Sequence, residues 1–163
     1  MKIAIISDTH DNLGNLEKFL NFAKKEKIEI LIHCGDVTKG ETLKEIEENF
    51  EGQIFLALGN GDIKDSLFEK SKKTKIFEEV GEIEIEKLKI GFCHKVNLKK
   101  AKEKIEKFDF FFFGHLHFPF LKKIKNCFVA NPGNLAGIIF KASFAILDSK
   151  TKKLELKILE KLK

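Results

Sequence analysis

The stretch Lys2-Ile3-Ala4-Ile5-Ile6-Ser7-Asp8-Thr9-His10-Asp11-Asn12-Leu13-Gly14-Asn15-Leu16 decides the fold. Its first part is a short, β-branched apolar run, too brief for an independent helix and continuous enough for a strand buried on both faces. The run stops at Ser7-Asp8-Thr9-His10, after which Leu13, Leu16, Phe19, Leu20 and Ala23 recur at helical spacing. Strand, polar turn and amphipathic helix open a βαβ unit, and the same order repeats downstream. Buried-strand runs follow at residues 29–34, 53–58, 88–93 and 109–113, with helical periods at Leu43, Ile46 and Phe50 and at Leu98, Ala101 and Ile105. Parallel pairing is the consequence.

The second half changes character. Residues 82–86, 121–130, 137–148 and 153–159 are strand-like with few helices between them, which predicts additional antiparallel strands. In the last of these Leu154, Leu156 and Ile158 alternate as in a strand, although the Lys/Glu/Leu composition also suits a helix. Two sheets packed face to face with helices outside accommodate both halves in one α/β fold.

The chain of 163 residues is 43% hydrophobic and 34% charged, enough to bury one core. No repeat or Pro/Gly-rich linker divides it, so one domain over residues 1–163 is expected. Its apolar runs fall far short of the ~20 residues that cross a bilayer. Asp8 also interrupts the N-terminal run before a secretory apolar segment forms, so a cytoplasmic protein is expected. Cys34, Cys93 and Cys127 are odd in number and contain no C-x-x-C pair, which predicts reduced, buried thiols. The net charge of +5 comes from 30 lysines without an arginine, set among 25 acidic residues. Such a mixture reads as a solvated surface, and the absence of arginine, tyrosine and tryptophan argues against a nucleic-acid partner. Without a guanidinium fork, any phosphate must be held by metal, lysine or backbone.

The five buried runs share one property: each ends in a cluster of Asp, His or Asn. The clusters are Ser7-Asp8-Thr9-His10, Gly35-Asp36, Gly59-Asn60-Gly61-Asp62, Cys93-His94 and Gly114-His115-Leu116-His117. Ligands of open α/β sheets bind beyond the carboxyl ends of the strands, so these clusters converge on one crevice. Asp8 and His10, two residues apart, can share one ion. His115 and His117 repeat the spacing but can instead serve two ions, and Asp36 has two oxygens with which to bridge them. Carboxylate, imidazole and amide donors suit Mn²⁺, Fe, Zn²⁺ or Ni²⁺ better than Ca²⁺. Gly35, Gly59 and Gly114 precede Asp36, Asn60 and His115 where the backbone turns sharply or approaches a ligand.

In order and spacing, Asp8-x-His10, Gly35-Asp36, Gly59-Asn60, His94 and Gly114-His115-x-His117 resemble the calcineurin-like metallophosphoesterases. Ser7-Asp8-Thr9-His10, His33-Cys34-Gly35-Asp36 and Asn131-Pro132-Gly133 are similar to the short prokaryotic, YfcE-like phosphodiesterase branch. The resemblance spans essentially the whole chain, and a five-part ordered motif is far more specific than any of its parts. It implies a four-layer α/β/β/α sandwich of two mixed β-sheets flanked by helices. It further implies two divalent metal ions, Mn²⁺ first and Ni²⁺, Zn²⁺ or Fe as alternatives. One ion takes Asp8, His10, Asp36 and His117, and the other takes Asp36, Asn60, His94 and His115. The implied activity is that of a dinuclear phosphodiesterase in which a metal-bridging hydroxide attacks phosphorus between ions ~3.5–4 Å apart. Asp36, Asn60 and His94 are its catalytic residues, Asp36 bridging the ions and His94 orienting the phosphate. The implied partner is a small phosphate ester and, as relatives often pair, a second copy of the chain.

Two alternatives stay open under the same resemblance: a phosphomonoesterase or nucleotidase on the same metals, and a non-catalytic scaffold like the retromer's metallophosphoesterase-like subunit. The sequence also departs from the pattern. Many relatives carry a histidine after the motif asparagine, where Gly61 stands, and another two residues after His94, where Val96 stands. Proton donation to a poor leaving group is therefore weakened, which predicts a preference for esters with acidic leaving groups.

Around these residues, Asp62 either orients the site or caps a turn, Asn12 caps a helix N-terminus, and His33 is a satisfied core histidine. Cys34 and Cys93 are inert thiols. Lys95, Lys99, Lys100, Lys102, Lys104 and Lys107 form the outer face of a helix rather than a basic lip. Phe118 and Phe120, flanking Pro119, are candidates to line the crevice.

Overall fold

The computed structural model describes residues 1–162, and of Lys99, Lys100 and Lys102 it describes the backbone element alone. The elements run β1 (Lys2–Ile6), α1 (Leu13–Lys25), β2 (Ile30–His33), α2 (Gly40–Asn49), β3 (Gln53–Ala57), α3 (Lys64–Lys70), β4 (Lys75–Phe77), β5 (Val80–Ile85), β6 (Leu88–Cys93), α4 (Leu98–Ile105), β7 (Phe110–Phe113), β8 (Pro119–Ile124), β9 (Cys127–Pro132), β10 (Ser143–Asp148) and β11 (Lys153–Ile158), closed by a 3₁₀ turn. One sheet has the order β11-β10-β1-β2-β3-β4 and the other β5-β6-β7-β9-β8. In the first, β1 to β4 are parallel while β10 and β11 are antiparallel additions. The second has a parallel centre, β6-β7-β9, with antiparallel β5 and β8 at its edges.

Strand alternation sorts the apolar residues into three cores. Ala4 and Ile6 of β1 face outward, where they pack with Leu16 and Phe19 of α1, Ile46 of α2 and Leu67 of α3. Ile3 and Ile5 face the other way and meet Phe92, Phe110 and Phe112 of the second sheet. On that sheet's far side Phe111 and Phe113 pack with Ile105 of α4. Three cores between four layers give the α/β/β/α sandwich, with Phe110-Phe111-Phe112-Phe113 serving two cores from one strand.

Several expectations are corrected in detail. Residues 121–130 are not one strand but part of the β8–β9 hairpin, turning at Lys125 (φ 51°) with Ile124 opposite Cys127. Only the second half of 137–148 is strand; Gly137 and Ile139 take positive φ in the loop before it. The alternation of Leu154, Leu156 and Ile158 prevails over helix propensity, and β11 pairs with β10. Helix α3 and strand β4 carried no periodic signal, because seven and three residues are too few to show one. Helix α4 forms where expected, and Lys107 pairs with Glu82 at 2.6 Å. Of the lysine series, the side chains of Lys99, Lys100 and Lys102 lie outside the described residues. No helix among the described residues is long and apolar enough to cross a membrane.

The α3–β4 connection is secured by one carboxylate. Glu47 of α2, only 7% exposed, accepts from Thr74 Oγ1 at 2.6 Å and from the backbone N–H groups of Lys72 and Thr74 at 2.9 Å each. Burial works against the charge, but these donors outweigh it and hold the Glu47 pKa below its ordinary value of 4.5. Glu47→Gln is expected to cost about 2–3 kcal/mol at pH 7, since several donors lose an ionised partner. A lowered carboxylate pKa stabilises above its unfolded value and is lost as pH falls through the folded one. Urea unfolding of both proteins should therefore converge below about pH 4.5, and a constant gap down to pH 3 would contradict the assignment.

Candidate metal centre

The loops that follow β1, β2, β6, β7 and β9 meet along one edge of the sandwich and are hydrogen-bonded to one another. Asp8 N donates to Gly35 O, His10 N to Asp36 O, Gly114 N to His94 O, and Ala136 N to Asp8 O, all at 2.9–3.1 Å. Asp8, His10, Asp36, His115 and His117 all have φ between 43° and 67°. The left-handed region costs a non-glycine residue ~1–2 kcal/mol. Five instances around one crevice are strain retained at a functional site, each turning a side chain out of its strand direction.

The donor atoms gather in two overlapping groups. Asp8, His10 and His117 place one donor atom each within 4.8 Å of one another, as do Asp8, Asp36 and His94. In the first, Asp8 Oδ1 lies 3.2 Å from His117 Nε2 and 3.8 Å from His10 Nε2, and the two Nε2 atoms are 3.4 Å apart. Asp8 is fully buried; its Oδ2 accepts from Ser7 Oγ at 2.5 Å and His115 N at 3.1 Å, while its Oδ1 has no hydrogen-bond partner. In the second group, His94 Nδ1 faces Cys34 O at 2.9 Å and so carries the proton, leaving a lone pair on Nε2. That lone pair points at Asn60 Oδ1, 3.0 Å away, and at Asp36 Oδ2, 3.4 Å away. Acceptors that face one another without a donor, one of them buried and orphaned, are the arrangement a cation resolves. The residues present therefore fit divalent metal.

His10 Nε2 also lies 3.7 Å from Asp36 Oδ2, so Asp36 sits between the groups. His115 stands beside His94, one of its expected companions, with the rings edge-on at 5.1 Å, and it belongs to neither of the two tight donor groups. Burial, with His94 and Lys95 nearby, lowers its pKa, while burial raises that of Asp8 against the pull of Ser7 Oγ.

The surrounding side chains hold these loops. Asp62 accepts from Gly59 N and Thr38 N at 2.7 Å and from Asp36 N at 3.0 Å, so it both caps its own turn and fixes the Asp36 loop. Asn12 caps α1 through Asn15 N. His33, 1% exposed, accepts from Gly35 N on Nδ1, and its Nε2–H therefore donates to Thr9 Oγ1 at 2.8 Å. Cys34 and Cys93 are buried, and burial pushes the Cys93 thiol up to about 12. Close approach explains Gly114: an added Cβ would lie 2.0 Å from Ser7 Oγ and 2.9 Å from Asp8 Oδ2. Asn134 went unnoticed in the sequence. It donates to His117 O and accepts from Ile138 N, both at 2.8 Å, and its signal was its place one residue past Asn131-Pro132-Gly133.

Phe118 and Phe120 part company. Phe120 turns to the α4 core and meets Phe113 at 6.0 Å, whereas Phe118 lies against Phe140 at 5.9 Å.

Comparison with known proteins agrees with this geometry. Residues 1–152 match the family described as the calcineurin-like phosphoesterase superfamily domain. The chain is 30% identical to the phosphodiesterase MJ0936 of Methanocaldococcus jannaschii, covering 98% of this chain and all of the relative. A solved archaeal phosphodiesterase, also 30% identical, superposes with a TM-score of 0.86 over 97% of this chain and 99% of its own. The E. coli phosphoesterase YfcE shares the fold at 18% identity, with a TM-score of 0.72 over 98% of this chain and all of YfcE. Ordered motif, four-layer sandwich and matched relatives lead to one statement: the chain belongs to the calcineurin-like phosphoesterase superfamily and is a metal-dependent phosphoesterase.

Proposed function

We propose that the chain is a dinuclear phosphodiesterase with Mn²⁺ as its favoured metal. Two convergent acceptor groups that share Asp8 and flank Asp36 carry this reading. Asp8, His10, Asp36 and His117 would hold one ion, and Asp36, Asn60, His94 and His115 the other. When bound, such ions supply an acidified water nucleophile and polarise the phosphoryl oxygen.

The chain's own residues do the rest. The Nδ1–H bond to Cys34 O fixes the His94 ring, so its Nε2 is aimed before substrate arrives. Gly61 N donates to Asp36 Oδ1 at 2.7 Å and so holds that carboxylate in place. Position 61 faces Asp36, yet glycine brings no proton there, and Val96 packs in the α4 core. Leaving groups therefore depart as anions, which favours diesters of acidic alcohols.

The test is hydrolysis of bis-p-nitrophenyl phosphate beside p-nitrophenyl phosphate, using chelator-stripped protein with Mn²⁺, Ni²⁺, Zn²⁺ or Mg²⁺ restored. Diester turnover that returns with metal, and falls steeply when phenol replaces p-nitrophenol as leaving group, is expected. Faster monoester turnover would overturn the diester reading, and no turnover in folded, metal-loaded protein would point to a binding scaffold.

A further inference from the structure

Five apolar side chains stand exposed beside the metal centre: Leu116 at 44%, Phe118 at 38%, Ile138 at 44%, Ile139 at 86% and Phe140 at 46%. They come from two loops. Leu116 and Phe118 alternate with His115 and His117 in one, and Ile138, Ile139 and Phe140 are consecutive in the other. The loops are joined twice, by Asn134, which bridges His117 O and Ile138 N, and by the Phe118–Phe140 ring contact. Ile139 holds a φ of 65°, a region a β-branched residue avoids. The sequence thus keeps an apolar residue, strained and in water, where a glycine or asparagine would be relaxed.

We infer that this crest is a subsite for an aromatic ester group of the substrate. The inference rests on the phosphodiesterase reading and extends it to substrate class. Continuity with the centre selects the occupant: a phosphorus atom at His117 leaves one ester substituent to run along the residues next to it, Leu116 and Phe118. Two half-exposed phenyl rings in edge contact offer both a ring face and a ring edge, which favours a flat aromatic substituent over an alkyl one. The five side chains carry no charge, and Lys141 and Glu160, which line the groove beside Ile139 and Phe140, are paired with each other, so the crest selects for shape and stacking while the phosphate is held at the centre.

Calorimetric titration of Mn²⁺-loaded protein with phenylphosphonate and methylphosphonate tests this. The wild type should bind the phenyl compound on the order of tenfold tighter, as expected for one aromatic stack. In Phe140→Ser, and in the separately made Ile139→Ser, the ratio of the two affinities should fall toward one. A ratio that stays at its wild-type value in both variants, with the fold intact, overturns the subsite. So does a concentration-dependent dimer in sedimentation that both substitutions disperse without changing the ratio, since a second copy then covers the crest. Failure of wild-type protein to bind even methylphosphonate would remove the dinuclear phosphodiesterase reading and this inference with it, whereas tight but equal binding of both compounds removes the inference alone.

Discussion

Asp36→Asn is expected to lower diester kcat/KM on the order of 10³-fold, because the charge stabilisation that two ions give a transition state is worth several kcal/mol. The substitution is nearly isosteric. Its amide oxygen can keep the bond from Gly61 N, while an NH₂ group replaces the oxygen that lies 3.4 Å from His94 Nε2 and 3.7 Å from His10 Nε2. A donor then faces the His94 lone pair where an acceptor stood, so the metal-free variant should be as stable as the wild type or more so. Metal should raise the wild-type Tm strongly and that of Asp36→Asn weakly, since a ligand that binds only the folded state stabilises it in proportion to ln(1 + [L]/Kd). Equal Tm shifts in the two proteins, or retained turnover, would show that Asp36 does not link the two groups.

Acidification should act through His33. Burial holds its pKa down to about 3, against 6.5 for a free imidazole. Between those values the unfolded chain binds a proton that the folded chain refuses, so stability rises with pH and is lost as pH drops below 6.5. Each pH unit in that window removes ~1.4 kcal/mol, on the order of 5 kcal/mol in all. His33→Gln keeps a donor toward Thr9 and removes the titration. Its stability should lie below the wild type at pH 7 and approach or pass it near pH 4, as measured by urea unfolding with the same metal present. Parallel curves from pH 6.5 to 4 would mean that His33 is already protonated in the fold. Activity of the variant at pH 7.5 should stay within severalfold of wild type, because His33 touches Thr9 and Gly35 and none of the converging donors.

How much was legible in advance depended on the length and repetition of each signal. Strands β1, β2, β3, β6 and β7 and helices α1, α2 and α4 were readable because each shows a continuous apolar run or at least three apolar positions at helical spacing. The ends of those strands were readable because every run stops in residues of the same chemistry. Chain turns inside a continuous pattern were not. Lys125 at positive φ divides 121–130 into two strands, yet nothing in its identity announces a left-handed backbone. The position of His115 was also hidden: the spacing His115-x-His117 places the residues, but ring orientation is set by packing on His94, which is 21 positions away in sequence. Asp62 had two readings because one carboxylate does both tasks. Phe118 and Phe120 looked equivalent in sequence, but β8 begins only at Pro119, so Phe118 stays in the preceding loop against Phe140 while Phe120 turns to the α4 core.

The pairing of β1 has a consequence for how the chain is made. One side of β1 joins β2, but the other joins β10, with Ile3 opposite Leu147 and Ile5 opposite Ala145. A nascent chain must therefore carry an unsatisfied central strand through most of translation, and closing it spans more than 140 residues. Such a long closure slows folding and leaves an apolar edge open to other chains. The turn after β1 waits as well, since Leu135 N and Ala136 N supply the bonds to Ser7 O and Asp8 O. Asp8, made before every other donor of the centre, is thus locked in place only once residues 135 and 136 arrive, and a chain stalled before residue 143 would present an aggregation-prone edge.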